Sequence, residues 1–86
     1  MARLLDRMQL TLKYFAILRE QRGLSEETIE TDALTPGEIY ESLKASHAFS
    51  LNQNQLKVAV NDTFAAWNTP LNNADTLVFI PPVAGG

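Results

Sequence analysis

From Met8 to Phe15 the chain alternates, with Leu10, Leu12 and Tyr14 on one side and Gln9, Thr11, Lys13 and Phe15 on the other, the period of a half-buried strand. The segment from Ala16 to Arg22 consists of good helix formers and stops at Gly23, which predicts a short helix with a glycine stop. Glu27 to Thr31 alternates weakly and is rich in threonine, so a second strand is expected to return on the first, its acids solvated. Thr35-Pro36-Gly37-Glu38 is a helix start: Thr35 caps, Pro36 suits the first helical position and Glu38 can reach back to the cap's N–H. Ile39, Leu43 and either Ser46 or His47 then share one face, with Tyr40 beside them, giving an amphipathic helix of about three turns that covers one face of a sheet.

Past a polar loop from Ser50 to Gln55, Leu56 to Val60 reads as a strand, Asn61-Asp62 as a turn and Thr63 to Trp67 as a short returning strand. Thr69 to Asp75 is loop, and Thr76 to Ile80 is so uniformly apolar that it is expected at the centre of a sheet. Two strands, a helix and two or three further strands in 86 residues predict an α+β fold. The candidate is a ubiquitin-like β-grasp: a mixed sheet of about four to five strands packed on one main helix plus a short helix. Chains of this size have room for one domain with a modest core, so residues 1–86 are read as one domain.

Composition narrows the chemistry. The chain has no Cys, which removes disulfides, a thiolate nucleophile and cysteine-based metal sites; no metal or bound cofactor is expected. The net charge is −3 and the seven basic residues are scattered, which argues against a nucleic-acid partner. Charges interrupt the leucines from Met1 to Arg7, so neither a signal peptide nor a membrane span is expected and the protein is placed in the cytoplasm.

The strongest chemical signal is the end of the chain. Thr76 to Gly86 contains no ionisable side chain and closes on Gly85-Gly86, half of the chain's four glycines. At average glycine usage a terminal pair should occur in roughly one protein in 200. Without Cβ atoms two glycines make a thin thread whose carboxylate can enter a narrow slot in another protein. Pro81-Pro82 holds that thread extended as it leaves the fold. Residues 81–86 are therefore expected to form an extended, flexible tail, with Pro81, Pro82, Val83, Ala84 and Gly85 threading into a partner and Gly86 supplying the reactive carboxylate.

Val60-Asn61-Asp62-Thr63, Pro70-Leu71, Asp75 and the ending Phe79-Ile80-Pro81-Pro82-Val83-Ala84-Gly85-Gly86 resemble the family of the small subunit of molybdopterin synthase. Phe15-Ala16 and Arg19-Glu20 fit that family's first strand and helix start, so the resemblance runs from about Met8 to Gly86. It departs in two places: Met1 to Arg7 precede the usual start and read as an N-terminal extension, and Asn73-Ala74-Asp75 stands where a glycine is common. The family implies a sulfur carrier that is not catalytic alone. An E1-like adenylating enzyme spends ATP to adenylate Gly86, a sulfur donor enzyme converts it to a thiocarboxylate, and the large subunit uses that sulfur to turn cyclic pyranopterin monophosphate into the molybdopterin dithiolene. A heterotetramer of two carriers on a large-subunit dimer is implied as well. The related carrier that supplies sulfur for thiamine, and a ubiquitin-like modifier that joins Gly86 to a target lysine, are the alternatives.

Phe15 falls on the polar side of the first strand, and Val78 and Ile80 fall on the side of the last strand opposite Leu77 and Phe79. An apolar patch on the helix-free face is therefore expected, of the kind that marks a partner site. Phe15, Phe64 and Ile80 are its proposed anchors and Arg19 its rim charge; core packing stays open for Phe15 and for Phe64, whose strand parity is ambiguous. Trp67 is read as a partly buried core or edge residue, His47 as a helix-end residue without a role, and Lys13, Lys44 and Lys57 as solvated charges.

Overall fold

The alternation over the first strand is realised as β1 (Met8–Tyr14), with Leu10, Leu12 and Tyr14 buried. The structure is a computed structural model that describes residues 7–82, so the extension before Arg7 and the tail residues Val83, Ala84, Gly85 and Gly86 lie outside the described residues. Helix α1 (Ala16–Arg22) follows, opened by Phe15 in an extended conformation. It ends at Gly23, whose φ of 83° lets its N–H reach back to the Arg19 carbonyl at 2.8 Å. That is the left-handed cap for which a glycine stop is suited. Strand β2 (Glu26–Thr31) returns antiparallel to β1.

Helix α2 (Pro36–His47) buries Ile39, Tyr40 and Leu43. Thr35 Oγ1 accepts from the Glu38 N–H at 3.3 Å, while the Glu38 carboxylate takes the N–H of Leu34 at 2.6 Å, one residue earlier than the capping-box expectation. The polar loop that follows is more ordered than predicted. Gln53–Gln55 forms a 3₁₀ turn, with Asn52 and Gln55 exchanging side-chain and backbone bonds, which satisfies donors that a bare turn would leave open.

Strands β3 (Lys57–Val60) and β4 (Thr63–Ala65) form a hairpin across Asn61-Asp62, both with positive φ, and β5 (Thr76–Ile80) closes the sheet. The order across the sheet is β2-β1-β5-β3-β4, so β5 is central, parallel to β1 and antiparallel to β3. Strand β4 stops at Ala65, short of the predicted Trp67. The Trp67 ring lies parallel to Phe79 at 6.3 Å and beside Tyr40 at 5.8 Å, and its carbonyl accepts from Gly37 N–H at 2.9 Å. Ring burial and the contact with the start of α2 draw the chain off the sheet edge. The core between α2 and the sheet joins Tyr14, Tyr40, Phe49 and Phe79 to Leu10, Leu12, Val58 and Leu77.

Candidate functional site

With Leu77 and Phe79 committed to the core, the period of two turns Thr76, Val78 and Ile80 to the opposite face. The register sets their neighbours: Lys13 on β1 is opposite Val78 on β5, Val78 is opposite Ala59 on β3, and Ala59 is opposite Phe64 on β4. One row across the sheet therefore reads Lys13, Val78, Ala59, Phe64. Phe15 beyond β1 and Ile80 at the end of β5 complete a cleft of about 350 Å³ lined by these six residues and Asp62. Phe64 is 70% exposed and Phe15 48%, far above what a core aromatic shows.

The three anchor residues read from the sequence, Phe15, Phe64 and Ile80, thus line one cleft. Arg19 is exposed on α1 but is not among the residues lining it. The charges that do line it are Lys13 and Asp62. Lys13, expected only as a solvated charge, also borders the cleft, a place that its parity with Phe15 along β1 signals. The sequence predicts turn chemistry alone for Asp62, and the pairing of β3 beside β5 carries it to the cleft. Pro81, half-buried, and Pro82, exposed, continue from Ile80, so the described chain leaves the fold at the rim of this shelf. A second cleft of about 560 Å³ shares Phe64 and runs past Lys57 to Trp67 along β4.

The frame behind the shelf contains a polar cluster that the sequence reading took for solvated acids. Glu27 receives both the Nε and a terminal N–H of Arg22, at 2.8 and 2.7 Å, and the Tyr14 hydroxyl at 2.6 Å. The Arg22 fork holds the Glu27 carboxyl below the usual carboxylate range, against the opposing effect of its partial burial. Burial, then the bond to Glu27, pushes the Tyr14 hydroxyl well above its ordinary value. Tyr40, donating to the Leu51 carbonyl at 2.7 Å, is pushed up to about 12 mainly by burial. These phenols are therefore neutral hydrogen-bond donors near pH 7. At the other end of the sheet the buried Asp75 accepts from Asn61 Nδ2 and from Asn72 N–H, both at 2.8 Å, and Asn61 Oδ1 takes the Thr76 N–H at 2.9 Å.

Among the described residues no group of three or more His, Asp or Glu side chains is gathered to hold a metal ion. No described helix is long and apolar enough to cross a membrane. The described residues place an open, largely apolar cleft beside the point where the chain leaves the fold.

The profile of the ThiS family matches residues 12–86. The chain is 32% identical over 80 residues to the molybdopterin synthase sulfur carrier subunit of Haemophilus influenzae, covering 90% of this chain and 99% of that protein. Among solved structures it is similar to the small archaeal modifier protein SAMP1 of Haloferax volcanii, with a TM-score of 0.75 and 26% identity over 91% of this chain and 99% of that one. It is also similar to a chain in the complex of subunits 1 and 2 of the Helicobacter pylori molybdopterin-converting factor, with a TM-score of 0.62 and 25% identity over 92% of this chain and 100% of that one. The fold is the ubiquitin-like β-grasp that the element order predicted.

Proposed function

The chain belongs to the ThiS family, and from that membership we propose that it is the sulfur carrier subunit of a molybdopterin synthase, acting in the cytoplasm. The observation that carries the proposal is positional. An apolar shelf of Phe15, Phe64, Val78 and Ile80 lies at the end of the strand from which Pro81-Pro82 leads toward Gly85-Gly86. A partner that grips the shelf holds the terminal thread tethered to its grip, which converts sulfur delivery into an intramolecular event.

A terminal carboxylate, with a pKa of about 3.5, is ionised at neutral pH and a poor acylating group until one oxygen becomes a leaving group. An E1-like enzyme supplies that by transferring AMP from ATP to Gly86. A persulfide sulfur from the donor enzyme then displaces AMP, and thiol cleavage of the sulfur–sulfur bond leaves the thiocarboxylate. Docked on the large subunit, this thiocarboxylate is the nucleophile toward cyclic pyranopterin monophosphate, and two such transfers complete the dithiolene. The acid, base and phosphate-binding groups belong to the large subunit, while Val83, Ala84 and Gly85 thread and Gly86 carries sulfur. ATP is consumed on the activating enzyme, and this chain holds no cofactor of its own.

Intact mass after incubation with ATP, the activating enzyme and a persulfide donor is the test. A gain equal to one oxygen replaced by sulfur, localised to Gly86, is expected; no gain, with the enzyme active on a known carrier, overturns the proposal. Similarity to the archaeal modifier protein favours one second reading, in which Gly86 is joined to a target lysine. Larger conjugates in lysate, lost with Gly86, would mark that outcome.

A further inference from the structure

On the reading that the shelf docks the large subunit, we infer that Lys13 and Asp62 form a pair of opposite charges that selects the partner: an acidic group opposite Lys13, a basic group opposite Asp62, and an apolar side chain between them. Both residues line the same cleft as Phe15 and Phe64. Lys13 is on β1 and Asp62 in the turn joining β3 to β4, so β5, with Val78 and Ile80, lies between them. Two strand spacings, roughly 10 Å, separate the Lys13 position from Ala59 on β3. That row, with Val78 at its middle, offers an apolar floor beside the cleft-lining charges.

The direct cross-strand neighbour of Lys13 on the other side is Glu26 on β2, the arrangement in which opposite charges commonly pair. Among the described residues no such ion pair forms; the one described pair is Arg22–Glu27. Lys13 instead borders the apolar cleft, with its stem free to lie over Val78 and its ammonium at the rim. Along the same row the face changes from acidic at Glu26, to basic at Lys13, to apolar at Val78 and Ala59. A partner docked in the wrong register would set like charges together or bury a charge on apolar surface. Rim charges act in this way, fixing orientation and rejecting the wrong partner rather than supplying bulk affinity.

Calorimetric titration of the full chain with its large subunit tests the pair, at low and at high salt, using Lys13→Glu, Asp62→Lys, the milder Asp62→Asn, and Phe64→Ala. Lys13→Glu moves the net charge from −3 to −5 and Asp62→Lys from −3 to −1, so the two reversals shift the overall field in opposite directions. The paired reading expects both to weaken binding at low salt, by about tenfold or more, with the differences shrinking at high salt. Asp62→Asn, which keeps a residue tolerant of positive φ, is expected to weaken binding less than Asp62→Lys. One reversal weakening and the other strengthening would show steering by net charge alone and overturn the pair; so would wild-type affinity in both. If Phe64→Ala also bound as the wild type does, the docking reading of the shelf would fail together with the pair, whereas loss in Phe64→Ala alone removes only the pair. Thermal unfolding of each variant confirms that the fold is intact.

Discussion

The hydroxyl of Tyr14 donates to the carboxylate of Glu27 at 2.6 Å, and the same carboxylate receives the Arg22 fork. Three elements meet there: Tyr14 ends β1, Arg22 ends α1 and Glu27 is the second residue of β2. Phe15, which lines the apolar cleft, is the residue between the first two. Replacing Glu27 by Ala leaves the fully buried Tyr14 without an acceptor, which is expected to cost about 1–3 kcal/mol of stability in denaturant unfolding. Tyr14→Phe in the Glu27→Ala background is expected to recover part of that loss.

The same carboxylate sets an acid limit. Because Glu27 titrates lower in the folded chain than its ordinary value of 4.5, its stabilising contribution is complete above that value. The contribution declines as pH falls through the folded-state value. Unfolding midpoints measured from pH 6 down to pH 2 are expected to fall less steeply for Glu27→Gln than for the wild type. Parallel curves would place the acid sensitivity elsewhere.

Ala74 has a φ of 73°, in the left-handed region that favours glycine. A side chain there costs roughly 1–2 kcal/mol relative to glycine, partly offset by the entropy glycine adds to the unfolded chain. Ala74→Gly is therefore expected to raise stability by about 0.5–1 kcal/mol and to raise the melting temperature. The reverse experiment is Gly23→Ala. Nothing lies within 4 Å of the added Cβ, so its loss of about 1 kcal/mol would report the backbone conformation alone.

Asn61 ties the β3–β4 turn to the start of β5 through Asp75 and the Thr76 N–H, and its own φ is 52°. Asn61→Gly retains the turn conformation while deleting both bonds, so its cost, about 1–3 kcal/mol, isolates the side-chain tie. Asn61→Ala is expected to cost more than Asn61→Gly by the added backbone strain. Equal losses would remove strain from the account.

Phe64 is mostly exposed, and Phe64→Ala is expected to change folding stability by no more than about 0.5 kcal/mol. Binding to the large subunit is expected to weaken by 2 kcal/mol or more, as an exposed aromatic anchor does when truncated. An unfolding curve and a titration on the same sample separate the two effects, and a large stability loss with unchanged affinity would make Phe64 a structural residue instead.

What the sequence determined by itself is what neighbouring residues decide among themselves. Leu10, Leu12 and Tyr14 alternate within one strand, Thr35 bonds an N–H three residues on, and Gly23 and Asn61-Asp62 adopt backbone conformations their own chemistry permits. The Gly-Gly ending and its apolar lead-in were legible for the same reason, and so was the outward parity of Val78 and Ile80. Tertiary structure decided the matters that depend on residues distant in the chain. Trp67 left the sheet because Phe79 and Tyr40 offered it burial, and strand propensity over Thr63–Trp67 could not register that. Glu27 became a half-buried junction because β1 and α1 end beside it. Lys13, Phe64 and Asp62 came to share one cleft only because β5 inserts between β1 and β3. Side-chain alternation is local, but which strands lie side by side is set by the burial of a whole face, and that choice gathered the charges and aromatics of the shelf.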